Sequence, residues 1–211
     1  MEDQTIIDNE AENKDLHNAS EEKAENKDLR NASDKKEKKK EKEKVVKSMR
    51  KMRLYKREIK DKHILREIVA ECDVVRIGAM DQEGMFIVPV NFGYEFLDDG
   101  DTERLILYFH GAPEGRKAEA FEACRQVALE MDCGHRLITG DYTCSYSYAY
   151  RSIMGNGTVE RLDSDEQKIY GLTKVMEHMA CGAAIDFNRS MLERAAVYRI
   201  TVESFTGKER S

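Results

Sequence analysis

Tryptophan is absent from the sequence, proline occurs only twice in 211 residues, and the five cysteines include no Cys-x-x-Cys pair. No apolar run approaches the ~20 residues a membrane-spanning helix needs. The acidic start Met1-Glu2-Asp3 lacks the basic flank and apolar stretch of a secretory signal. These absences lead us to expect a soluble, cytoplasmic protein with no membrane association. Cys72, Cys124, Cys133, Cys144 and Cys181 are odd in number and far apart, which argues against a disulfide framework and fits a reducing compartment. Cys133-Gly134-His135 with Cys144 matches no zinc spacing, so no metal site is expected.

Apolar residues are unevenly spread. The first fifty residues hold 12 of them, and the remaining 161 hold 73. The head cannot bury enough surface to offset its ordering entropy, whereas the rest has the composition of one globular domain. The expected organisation is a disordered charged arm over 1–50 and a single domain over 51–211. Within the arm, AENKDLHNASEEK (11–23) recurs as AENKDLRNASDKK (24–36), a duplication too short and too polar to stack as a repeat fold. Charge is segregated there: 4 basic and 11 acidic residues in 1–34, then 9 basic and 3 acidic in 35–50. A solvated spacer is favoured over a contact for nucleic acid or anionic lipid, because the acidic block can neutralise the lysines and no aromatic residue interleaves them.

Helical spacing of Ile59, Ile64, Leu65, Ile68 and Val69 predicts a helix over 56–70 with Asp61 as a cap. Strands are expected at 74–80, 85–96 and 103–110, separated by the turns DQEG (81–84) and LDDGD (97–101). Pro89 cannot donate a ladder hydrogen bond, so its strand is bulged or at an edge. A helix at 114–124 and strands at 126–132, 152–162 and 195–204 follow. A capped helix over 163–180 starts at Asp163 or Ser164. Tyr142, Tyr146, Tyr148 and Tyr150 alternate and would share a face if extended, lining an aromatic pocket, an interface or ordinary packing. Asn156 between Gly155 and Gly157 suggests a bulge or close backbone approach. Six strands and three helices in this order suggest a mainly β chain: a small six-stranded antiparallel barrel, closed or split, with peripheral helices.

Arg116 and Lys117 open the 114–124 helix, where free amides and the positive end of the dipole favour an anion such as phosphate. His110 ends a strand beside Gly111, where small ligands reach a barrel; it is either a structural hydrogen-bonding group or a functional one.

FIVPVNFGY (86–94), LYFHGAPEGRKAEAF (107–121), SIMGNGTVERL (152–162) and VYRITVESFTGKER (197–210) carry a family likeness. Across roughly 52–210 the chain resembles the FMN-binding split-barrel proteins related to pyridoxamine 5'-phosphate oxidase, and within them the Nim-type 5-nitroimidazole-resistance branch. The resemblance implies a homodimer with FMN at the subunit interface, each site built from both chains. It assigns Arg116 and Lys117 to the FMN phosphate, and Val88, Pro89, Val90 and Asn91 to the edge of the isoalloxazine ring. His110 and Gly111 fall beside the flavin, with His110 as the catalytic candidate that tunes the cofactor or protonates substrate. Ser152 is either a flavin hydrogen-bonding group or a plain strand hydroxyl.

The implied activity is an FMN-dependent oxidoreductase passing electrons, from a reduced nicotinamide or another donor, to a small aromatic or nitroaromatic acceptor. The alternatives are a non-catalytic flavin- or haem-binding redox protein, or a pyridoxamine-phosphate-oxidase-like enzyme with another substrate. The ending TGKERS and the absence of tryptophan depart from the substrate-binding tail of pyridoxamine phosphate oxidase itself.

Overall fold

The first expected helix is shorter than its periodicity suggests. Tyr55–Arg57 forms a single 3-10 turn, and β1 (Glu58–Ile59) pairs with the last strand. Only then does α1 (Lys62–Glu71) begin, where the Asp61 carboxylate accepts the His63 amide at 2.8 Å. This computed structural model describes residues 52–98 and 103–211; the expected arm over 1–50 and most of the acidic turn 97–101 lie outside them.

A hairpin of β2 (Val75–Asp81) and β3 (Gly84–Val90) follows, then β4 (Gly93–Asp98) and β5 (Glu103–Gly111). The run expected as one strand over 85–96 is therefore two. Asn91 interrupts it by donating its side-chain amide to the Asp73 carbonyl at 2.9 Å, and Phe92 is fully buried. With β1, this break raises the strand count from the expected six to eight. The remaining elements are α2 (Arg116–Ala123), β6 (Gln126–Ile138), β7 (Ser147–Leu162), α3 (Asp165–Met179), an unanticipated α4 (Arg189–Arg194) and β8 (Ala196–Arg210). Ser164 is the cap of α3, its hydroxyl accepting the Gln167 amide while the Gln167 side chain accepts the Ser164 amide.

All pairings are antiparallel, in the order β3-β2-β6-β7-β8-β5-β4. The two end strands of this sheet, β3 and β4, are joined by only Asn91 and Phe92. The sheet must therefore curl until its edges approach, and the result is a split barrel. Pro89 lies on the edge strand β3, where its missing N–H costs no ladder bond, and the β2–β3 register is unbroken. A register shift between Asn156 and Gly157 bends β7, as its glycines suggested.

Inside the barrel, Phe109 stacks on Tyr198 with ring centres 5.1 Å apart, and Phe121 of α2 packs edge-on against both. Each such ring stabilises by roughly 1.5–3 kcal/mol when buried. A second cluster, Ile106, Tyr108, Leu162, Val175 and Val197, lies under α3. Consequently β5 is buried on both faces from Leu105 to Phe109, which fixes the position of its exposed end at His110 and Gly111. No helix among the described residues is long and apolar enough to cross a membrane.

Candidate functional site

Gly115 precedes α2 with φ of +100°, a conformation that favours glycine, and it supplies no side-chain cap. The first helical bond runs from the Glu119 amide to the Gly115 carbonyl at 3.1 Å, so the amides of the opening turn have no intrahelical acceptor. Lys117 stands in that turn. Its ammonium folds across Gly111 so closely that a β-carbon there would sit 2.1 Å from Nζ. Nζ also lies 5.9 Å from the centre of the Phe109 ring. Burial pulls the Lys117 pKa below the ordinary lysine range. No carboxylate pairs with it among the described residues. A partly desolvated cation beside uncapped amides is a receptive corner for an anion.

Arg116, the neighbouring residue, is differently committed. Its Nε donates to Asp81 Oδ2 at 2.6 Å and its Nη2 to Asp81 Oδ1 at 3.0 Å. Nη1 lies 3.6 Å from Glu83, and the guanidinium sits 4.4 Å above the Phe86 ring. The hydrogen bonds between them raise the Arg116 pKa and lower that of Asp81. The two members of the doublet differ in their surroundings: Lys117 has no carboxylate partner among the described residues, and Arg116 ties α2 to the tip of the β2–β3 hairpin while other guanidinium donors stay free. Neither Asp81 nor Phe86 was legible as a site residue. DQEG reads as a turn, and nothing in the sequence links it to a residue 35 positions later.

On β3, Val88 and Val90 face inward against the core while Pro89 faces outward. Asn91 has its amide engaged by Asp73, a structural tie. His110 and Gly111 point to opposite faces of β5, so Gly111 shares a face with Phe109 and Lys117 while His110 does not. The imidazole is exposed and has no hydrogen-bond partner among the described residues.

Ser152 is remote from this corner. It pairs with Lys208 of β8, whereas Gly111 pairs with Ala196, twelve residues away along the same strand. That is roughly 40 Å of extended chain. The tyrosines are also dispersed: Thr143–Ser145 forms a 3-10 turn and β7 starts at Ser147, so only Tyr148 and Tyr150 share a strand. His135 pairs with Asp132 at 2.7 Å. Around the outer wall, Met80, Met85, Ile87 and Met154 are all more than half exposed. The pairings Met80↔Met85, Gly78↔Ile87 and Glu130↔Met154 put them on one face of β2, β3 and β7.

This curled antiparallel sheet is a split barrel. The chain belongs to the pyridoxamine 5'-phosphate oxidase family, whose sequence profile matches residues 61–209. Among solved structures it is similar to one from Bacteroides thetaiotaomicron provisionally assigned to 5-nitroimidazole antibiotic resistance. The two share 31% identity over 72% of this chain and 86% of the other, with a TM-score of 0.62. The fold is also shared with the flavocytochrome Anf3 of Azotobacter vinelandii (20% identity, 76% and 72% coverage, TM-score 0.62). An FAD- and haem-binding protein of Mycobacterium smegmatis has it too (16% identity, 74% of each chain, TM-score 0.63). No curated protein matches in sequence.

Proposed function

We propose that this protein is an FMN-dependent oxidoreductase acting on small aromatic or nitroaromatic acceptors. The observation that carries the reading is Lys117, a half-buried ammonium without a counter-ion among the described residues, beside the uncapped first turn of α2. A phosphate monoester fits this donor set: it would accept from Nζ and from backbone amides, each charge-assisted bond contributing ~1.5–3 kcal/mol. Family membership favours a flavin, and a terminal phosphate monoester is what distinguishes flavin mononucleotide as the bearer of that phosphate. The bound flavin would supply two-electron transfer between a donor such as a reduced nicotinamide and the acceptor.

The chain's own residues divide the remaining work. Lys117 and the α2 amides hold the phosphate. The edge strand from Val88 to Val90 offers unpaired backbone groups to the polar rim of the ring, and Gly111 leaves room for the Lys117 side chain. His110, exposed and without a hydrogen-bond partner among the described residues, lies on the face of β5 opposite Lys117 and would deliver a proton to an acceptor standing over that face.

Ser152 reaches the same flavin only from a second copy of the chain. The exposed apolar residues Met80, Met85 and Ile87, with Met154 on the same face beyond the Arg76–Glu130 ion pair, are the surface for that copy, because solvent contact with such apolar groups is costly and pairing removes it. A homodimer with composite sites follows, in a reducing compartment that suits free thiols. Titrating apoprotein with FMN, and then measuring nitroimidazole-dependent reoxidation of the reduced complex over many turnovers, tests the reading. Tight binding without turnover would leave a flavin carrier in place of an enzyme.

A further inference from the structure

We infer that Asp81 is a positioning residue for this site: it fixes the Arg116 guanidinium against Phe86 so that one N–H edge is presented to the flavin phosphate. The inference rests on the flavin reading above and names a residue that reading does not use.

Arg116 is the first residue of α2 and its side chain is 44% exposed, so an untethered guanidinium there would sample many rotamers. Asp81 removes that freedom. Its own carboxylate is already oriented, because Oδ1 accepts the Glu83 amide at 2.9 Å within the hairpin turn. From that fixed position it takes Nε and Nη2 of Arg116 together, a two-point contact that sets the plane of the group as well as its place.

A guanidinium has five N–H groups, and the contact with Asp81 leaves donors on Nη1 and Nη2 free. Among the described residues the further carboxylate near them is Glu83, 3.6 Å from Nη1 and 78% exposed, where water and salt screen it. Asp81 has two opposing influences on an incoming phosphate: it orients Arg116, and its charge repels. The direct contact decides between them. With its charge compensated at 2.6 Å, Asp81 and Arg116 together offer the ligand an outward row of donors and little net anion. The same contact ties the hairpin carrying Val88–Val90 to the helix carrying Lys117.

The test compares FMN with riboflavin, which has the same ring and no phosphate, by quenching of flavin fluorescence on full-length apoprotein. Asp81→Asn is expected to weaken FMN binding about tenfold, the equivalent of one lost charge-assisted bond, and to leave riboflavin binding unchanged. Asp81→Glu is expected to recover part of the loss. If Asp81→Asn does not fold, Arg116→Lys takes its place: lysine keeps the charge but cannot accept the two-point grip, so it too should lose FMN preference alone. Equal weakening of both ligands would reduce Asp81 to a structural role and overturn the inference. Unchanged or tighter FMN binding would also overturn it, by showing that Asp81 is a bystander or competes with the phosphate. If wild-type protein binds neither flavin, or Lys117→Ala leaves the FMN-to-riboflavin ratio unaltered, the flavin reading itself has failed and this inference falls with it.

Discussion

Lys117 and Gly111 occupy one another's space: the ammonium passes where any β-carbon at Gly111 would be, 2.1 Å from Nζ. The glycine that ends β5 and the lysine that opens α2 are a single device, a strand end kept bare so that a cation can lie across it.

Lys117→Ala should weaken FMN binding about ten- to a hundredfold through loss of a charge-assisted bond, with the fold retained. Combined with Arg116→Ala, it should leave purified protein without flavin. Cofactor content by absorbance, set beside circular dichroism, reads both effects.

Gly111→Ala should separate binding from stability. The clash there falls on the tip of a flexible side chain, which can swing away, so the melting temperature should hardly change while flavin affinity drops. At Gly93 a β-carbon would meet the Lys174 backbone at 2.1 Å, and a helix main chain cannot swing away. Gly93→Ala should therefore destabilise by about 1–3 kcal/mol or more. Thermal denaturation and flavin titration of the two variants make the comparison.

Burial depresses the Lys117 pKa, and the sign of the pH effect follows. In apoprotein the charged form is penalised, so this group's contribution to stability is full above the ordinary lysine pKa. It is lost as pH falls through the lowered folded value. Apoprotein should thus gain stability on moving into the alkaline range, and Lys117→Met should raise its melting temperature at neutral pH. FMN affinity should move the other way, weakening as pH rises past the folded pKa and the ammonium is lost. Melting curves of wild type and Lys117→Met across that range, with and without FMN, measure both trends.

Ile87→Asp and Met154→Asp place charges on the exposed apolar wall and should give monomers of lower flavin content, since Ser152 is then withheld from its partner's site. Light scattering coupled to size-exclusion chromatography reports the mass. Monomers that keep full flavin occupancy would show that the site belongs to one chain.

Much of the barrel was legible because strand periodicity and turn chemistry are local. The alternation through β8, the Ser164 cap and the edge placement of Pro89 all depend on neighbours within a few residues. The break at Asn91 was not, because it depends on the Asp73 carbonyl and on Phe92 entering the core, contacts made only once the sheet curls. For the same reason a two-residue strand such as β1 leaves no periodic trace. At the site, Lys117 could be marked from its place at a helix start. The diversion of Arg116 to Asp81 could not, since a turn residue 35 positions earlier acquires that role only when α2 docks on the hairpin.

The most direct measurement is the visible absorption spectrum of full-length protein reconstituted with FMN and desalted, recorded beside Lys117→Ala treated identically. The account predicts flavin bands at close to one equivalent per chain in the wild type and almost none in the variant. A wild-type protein that emerges colourless, or that carries a haem Soret band in place of flavin, would contradict it.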